Sequence, residues 1–458
     1  MIDKRTYKGY WNLPSSDRKI AGVLEFDPQN HVELQLLGTL NDDNDIYDDS
    51  HHAKIIHGFT VEGKKLTLID CSMAYGGTSI PGFSTITYNP MKVLIGVHVG
   101  MIEELTFNEA IAELDLLTKW IDIWPYERDN LEGKGFSFNY KYLEDIQFSL
   151  GNVNGYFTFY GSTECKREEE FTTSHKAKLK FTTSLGLPLN DLTSYVWHFK
   201  KFLTLATESN TFVKSIFLKS NILGGEDGKS AQQIELLLIQ RNLGISGSDK
   251  HWSRFLFTYK DIEAVFHHVI QRWYHNKEVL DPIINAVYIS YTEPFLYVEN
   301  RFMDIIQALE TYHRRCIQNT EALKAEHKMK IKGILEQLDE DQHSFIKEKL
   351  CFGYEPALSA RLKELYSLYT TNLLARITGD TEQVQSIVRT AVKSRNYYTH
   401  YDPIAKKHAL KGMDLLYMSE RLKVLLITAI LRQIGIQKET IETIFERRAY
   451  KYEHLINS

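Results

Sequence analysis

The period of the apolar residues changes along this chain, and that change limits the fold more than any other feature. Over roughly the first two hundred residues, short runs alternate apolar and polar side chains and are punctuated by turn signals. Ile20 to Phe26 is followed by Asp27-Pro28-Gln29-Asn30 and then by His31 to Leu37, which predicts a hairpin. Val61 to Ile69 suggests another, and Val93 to Val97 and Gly155 to Tyr160 read as further strands. Ile111, Leu114, Leu117 and Ile121 fall on one face of a 3.6-residue period, so a helix is expected to interrupt the strands there. After about residue 290 the helical period takes over. Phe295, Val298, Phe302, Ile305, Ile306, Leu309, His313 and Cys316 form one stripe, and Met413 to Ile434 is apolar around most of its circumference, as in the central helix of a bundle.

The expected fold class is therefore α+β, with a β-rich N-terminal domain over 1–285 and an all-α bundle over 286–458. A connecting region of about 190–285, with helices near Tyr195–Leu203 and Asp261–His275, goes with the N-terminal part. A chain of 458 residues has room for two or three domains. No stretch approaches the roughly 20 apolar residues of a membrane span, and the first residues, Met1-Ile2-Asp3-Lys4-Arg5, lack a secretory apolar run. Cys71, Cys165, Cys316 and Cys351 form no CxxC pair, which argues against structural zinc and a disulfide framework. A cytoplasmic protein with no membrane partner is expected.

Arg395-Asn396-Tyr397-Tyr398-Thr399-His400 places a permanent cation, a carboxamide and an imidazole within one helical segment. A guanidinium grips phosphate, and an imidazole moves protons near neutral pH. Those groups suit cleavage of an RNA phosphodiester by attack of the ribose 2′-hydroxyl, with His400 as acid or base, Arg395 stabilising the phosphate charge and Asn396 orienting the imidazole or donating to a phosphate oxygen. No metal or cofactor is needed for that chemistry. Residues five apart on a helix diverge by about 140°, so the helix is expected to end or loosen between Arg395 and His400. The following Tyr401-Asp402-Pro403 supplies a reason. Although net charge is −5, Arg389, Lys393, Lys406 and Lys407 surround the motif and are candidate contacts to RNA phosphates. One histidine serves poorly as both acid and base, so a homodimer or higher homo-oligomer that joins two motifs is expected.

Bare R-x4-H spacing occurs by chance about as often as not, and the Asn and the Asp-Pro break add specificity. The hexapeptide matches the R-N-x3-H motif of HEPN ribonucleases. Arg301 to Arg315 is similar to the opening helix of the Apea-like HEPN family, and the β-rich part resembles the domain that precedes it there. The resemblance implies a bacterial abortive-infection ribonuclease, catalytic roles for Arg395 and His400 with Asn396 beside them, and a phage-derived protein as trigger. It also implies that Glu310 lies near the pocket as a supporting residue. His313, on the core stripe, reads as structural. The competing reading is a non-catalytic RNA-binding or scaffolding bundle whose N-terminal domain recognises a protein ligand.

Other motifs carry less. His51, His52 and His57 beside Asp42, Asp43, Asp45, Asp48 and Asp49 fit no zinc spacing and read as an acidic loop. Gly224 to Ser230 ends in Gly-Lys-Ser, yet Leu223 stands where a phosphate loop needs glycine. Arg448 and His454 have a looser spacing and read as a decoy.

Overall fold

The computed structural model describes residues 2–40, 52–78, 81–102, 105–131, 133, 135–166, 169–221, 233–240, 242–243, 250–293, 295–370 and 372–456. The Asp42–Asp49 and His51 cluster and the Gly224–Ser230 stretch lie outside the described residues. Two compact units emerge, Met1–Lys260 and Asp261–Ser458.

The first unit carries the strands β1 (Arg5–Asn12), β2 (Ile20–Asp27), β3 (His31–Leu37), β4 (His52–Thr60), β5 (Lys65–Thr78), β6 (Ser84–Ile95) and β7 (Thr106–Leu114). They are followed by β8 (Tyr126–Leu131), β9 (Gly135–Tyr140), β10 (Ile146–Leu150), β11 (Val153–Lys166), β12 (Glu170–Pro188), β13 (Val213–Lys219) and β14 (Ile234–Leu237). One sheet runs β10-β11-β12-β7-β13-β14-β6-β3-β2-β1-β4-β5, and β5 pairs back on β6. That last pairing closes β6, β3, β2, β1, β4 and β5 into a barrel, from which β14, β13, β7, β12, β11 and β10 extend as an open sheet, while β8 and β9 pair as a separate two-stranded sheet. All the pairings are antiparallel; β1–β2, β2–β3, β4–β5 and β5–β6 join strands consecutive in sequence, whereas β1–β4 and β3–β6 join strands that are not.

Alternation explains the barrel core. Ile20, Leu24 and Phe26 of β2 and Val32, Leu34 and Leu36 of β3 point inward at every second residue. Trp11 lies fully buried beside Gly58, its register partner on the neighbouring strand β4, where a Cβ would stand 2.1 Å from the indole ring. Glycine is required there by lack of space. In the open sheet, Trp120 packs edge-on against Phe157, Phe199, Phe202 and Tyr259, which anchors α1 (Leu117–Ile121) and α2 (Leu189–Thr207) on the strands.

Two readings of this unit are refined. The helix expected over Ile111–Ile121 is confined to α1, because Thr106–Leu114 forms β7. Phe107, Ala110, Ala112 and Leu114 are its buried residues, and the even spacing of the last three outweighs the helical match. Val61–Ile69 holds the turn between β4 and β5 and the start of β5, rather than a whole hairpin.

The second unit is helical. Its elements are α3 (Tyr259–Ile262), which begins at the boundary, α4 (Phe266–His275), α5 (Lys277–Thr292), α6 (Val298–Tyr312), α7 (Thr320–Leu335) and α8 (Glu340–Leu350). They are followed by α9 (Leu358–Tyr369), α10 (Leu373–Thr378), α11 (Thr381–His400), α12 (Gly412–Gln433), α13 (Lys438–Glu446) and α14 (Glu453–Ile456). Helices α4 and α5 thus fall in the helical unit, whereas the sequence expectation drew the division at 285/286. The packing of α5 against α6 and α12 accounts for this.

Helix α12 is buried on nearly every side and packs against α5, α6, α9, α10 and α13. The stripe on α6 presents Phe302, Ile305, Ile306 and Leu309 to that core, and His313 follows, buried. Phe295 precedes the helix and is exposed, so the stripe starts later than its period suggests. Residues His313–Ile317 continue α6 as one π-turn.

Candidate nucleic-acid site

Helix α11 carries the motif. Asp380 caps it, accepting hydrogen bonds from the amides of Glu382 (3.1 Å) and Gln383 (2.9 Å). Val388, Ala391 and Ser394 recur every three residues and are buried, which fixes the rotation of the helix and so the face each motif residue occupies.

The helix does not loosen inside the motif. It runs unbroken through His400 and ends at Tyr401, whose φ of 50° places it in the left-handed region. The Tyr401 amide donates to the Tyr397 carbonyl at 2.6 Å. This corrects the expectation from sequence. Proline restricts only the residue immediately before it, here Asp402, so the chain turns at Tyr401 and the motif stays helical.

The consequence is a division of labour around the helix. Arg389, Lys393, Asn396 and His400 stand at i, i+4, i+7 and i+11 and share one face. All four are exposed. Arg395 points about 140° away from His400, and its side chain is 32% exposed. Its guanidinium donates to Asn396 Oδ1 at 3.3 Å and lies 3.8 Å from Glu310 Oε2 on α6. Asn396 therefore touches Arg395 while sitting one turn before His400. Among the described residues none hydrogen-bonds or ion-pairs with the His400 imidazole, and no contact joins it to Arg395.

The segment after the motif is pinned to the helix. Tyr398 donates its hydroxyl to the Leu410 carbonyl at 2.7 Å, and the Leu410 amide donates to buried Ser394 Oγ at 3.0 Å. Burial pushes the Tyr398 phenol up from its ordinary value, with nearby Glu299, Tyr397 and Tyr401 adding to the effect, so it remains a donor. Asp402 Oδ1 accepts the Ile404 amide at 2.9 Å, forming a local turn that leads into the single turn Ala405–His408. That turn presents Lys406 and Lys407, both exposed.

Behind Glu310 lies a buried polar cluster that sequence reading did not anticipate. Arg361 on α9 is 1% exposed. It donates from Nε to the Pro356 carbonyl (2.9 Å) and from Nη1 to Gln318 Oε1 (2.7 Å) and His313 Nδ1 (3.3 Å), and its Nη2 contacts Glu355. Because arginine only donates, His313 accepts at Nδ1 and offers its Nε2 proton to Glu364 Oε2 at 2.8 Å. His313 is thus held by the fold, on the far side of the cluster from the motif. The one hint in the sequence was the polar interruption of the α6 stripe at His313.

Residues 6–273 match the family model described as ApeA N-terminal domain 1, and residues 303–440 match the one described as Apea-like HEPN. The chain belongs to the Apea-like HEPN family. Searches of curated proteins and of solved structures found no match. The Apea-like HEPN match spans Glu310, Arg361, Arg395 and His400. HEPN domains are generally ribonucleases and commonly dimerise. Among the described residues no helix is long and apolar enough to cross a membrane.

Proposed function

We propose that this Apea-like HEPN protein is an endoribonuclease effector of bacterial anti-phage defence, acting by abortive infection. It cleaves RNA without a metal, by transesterification at the ribose 2′-oxygen. The observation that carries the reading is the exposed stripe of Arg389, Lys393, Asn396 and His400, with Arg395 joined to its edge through Asn396. A strand of RNA following the two cations along this face brings a phosphate to Asn396 and His400. Lys406 and Lys407 extend the basic surface beyond the helix end.

His400 takes the 2′-hydroxyl proton as that oxygen attacks phosphorus, and the bond to the 5′-oxygen breaks. The leaving oxygen receives a proton, giving a 2′,3′-cyclic phosphate and a 5′-hydroxyl. Arg395, its charge steadied by Glu310, stabilises the additional negative charge on phosphorus. A second copy of the chain supplies the other histidine, so each scissile bond has separate acid and base. The divergence of Arg395 and His400 on one helix supports this arrangement, since two motifs facing each other can place both residue types around one phosphate. The N-terminal unit senses a phage-derived protein and releases the nuclease.

The test uses purified protein, total RNA and excess EDTA, with and without coexpressed phage proteins, comparing wild type with His400→Ala and Arg395→Ala. Cleavage by wild type alone is expected. Cleavage by all three, or by none with the trigger present, sinks the assignment and favours a non-catalytic RNA-binding or scaffolding bundle. Loss of cleavage on forcing the chain monomeric is expected from the paired site.

A further inference from the structure

Two arginines from different parts of the helical unit converge on the two oxygens of Glu310. Arg395 Nη2 lies 3.8 Å from Oε2, and Arg314 Nη2 lies 3.9 Å from Oε1. A carboxylate taken one oxygen at a time by two guanidiniums has the donor geometry that also fits two non-bridging oxygens of a phosphodiester. Arg314 belongs to the π-turn at the end of α6, and such wide turns are frequent where a helix serves a site. Its side chain is 52% exposed, so a ligand can reach it.

An ordinary surface pair four residues apart on a helix would end there. This one continues inward. Arg314 Nε is 3.6 Å from Glu355 Oε2, the carboxylate that also meets buried Arg361. Charges therefore alternate as Arg361, Glu355, Arg314, Glu310, Arg395, with three cations against two anions. Arg361 only donates and is fixed by its other acceptors, so it holds Glu355, and Glu355 orients Arg314 from behind. The unbalanced positive charge sits toward the exposed end, where Arg314 and Arg395 share one weak, long-range carboxylate partner.

We propose that Arg314 is a substrate-binding residue that forms, with Arg395, a two-arginine clamp for a single RNA phosphate. Glu310 spaces the two guanidiniums until the phosphate arrives, and the Arg361–Glu355 pair is the buried anchor. This rests on the ribonuclease reading for the identity of the ligand, but it is tested by binding alone.

The experiment measures affinity of the full chain for a labelled single-stranded RNA oligonucleotide carrying 2′-O-methyl groups, which cannot react, across a salt series. Wild type, Arg314→Gln, Arg395→Gln, the double variant and Lys332→Gln on α7 are compared. Each single arginine variant is expected to weaken binding about five-fold and to flatten the salt dependence, while Lys332→Gln binds as wild type. The double variant should fall short of the product of the two single losses, because both residues hold one phosphate. Wild-type affinity for Arg314→Gln, strictly multiplicative losses, or no oligonucleotide binding by wild type overturns the clamp. Cleavage of unmodified RNA by wild type against His400→Ala, with coexpressed phage proteins present, is scored separately. Coupled binding without cleavage leaves the clamp standing and sinks only the nuclease.

Discussion

The two ends of the R-N-x3-H motif are treated differently by the fold. Around Arg395, helix rotation, a carboxylate from α6 and a neighbouring amide all restrict one guanidinium. Around His400 the helix simply stops, and the imidazole stands exposed in its last turn. Holding a charge in place is work a single chain does for itself through packing. Presenting a proton-transfer group at a helix terminus suits a site that closes only when substrate and a second copy arrive. The contrast separates residues whose loss should harm the protein from those whose loss should harm only its reaction.

His400→Ala should break the contrast most visibly. RNA cleavage is expected to drop at least about a hundred-fold, while the thermal midpoint moves by less than about 2 °C, as for an exposed side chain. Calorimetry and a gel-based cleavage assay check both halves. Arg361→Met should do the reverse at the buried end. Removing one partner of a buried ion pair costs about 3–5 kcal/mol, read as a lower urea midpoint. A loss under about 1 kcal/mol would mean that Arg361 anchors nothing.

Ser394→Ala tests the join between the two ends. It leaves the Leu410 amide without its acceptor, at about 1–3 kcal/mol, and frees the segment that follows His400. Cleavage should fall several-fold at temperatures where the variant is still folded. Tyr401→Gly is the finest probe. Relief of the left-handed backbone, worth about 1 kcal/mol, is offset by lost ring contacts with Tyr397 and Tyr398, each worth about 0.5–1.5 kcal/mol. Stability should therefore fall by about 0–2 kcal/mol, with activity retained.

The β2–β3 hairpin, the long helices and the placing of Arg395 and His400 on one helical segment were legible from residue spacing, because periodicity reports which side of an element is covered. The Ile111–Ile121 stretch misled because Ile111 and Leu114 also fit a helical period, and only strand pairing selects between the two. The helix break was misplaced by two or more residues, since local preference around Asp402-Pro403 marks a boundary zone and hydrogen bonding decides which residue turns. Arg314, Glu355 and Arg361 could not be linked in advance. They lie on separate segments, and no one-dimensional pattern encodes an alternation of charge that arises only after packing. Barrel closure was hidden for the same reason, depending on one β5–β6 pairing among many conceivable ones.

Helices α7 and α8 pack on each other and contribute no buried residue to the bundle. Nothing in the core depends on the length of chain between them. Residues 336–339 should therefore accept an inserted reporter, such as a fluorescent protein, without loss of folding. Such a fusion would let assembly be watched by energy transfer between copies in living cells.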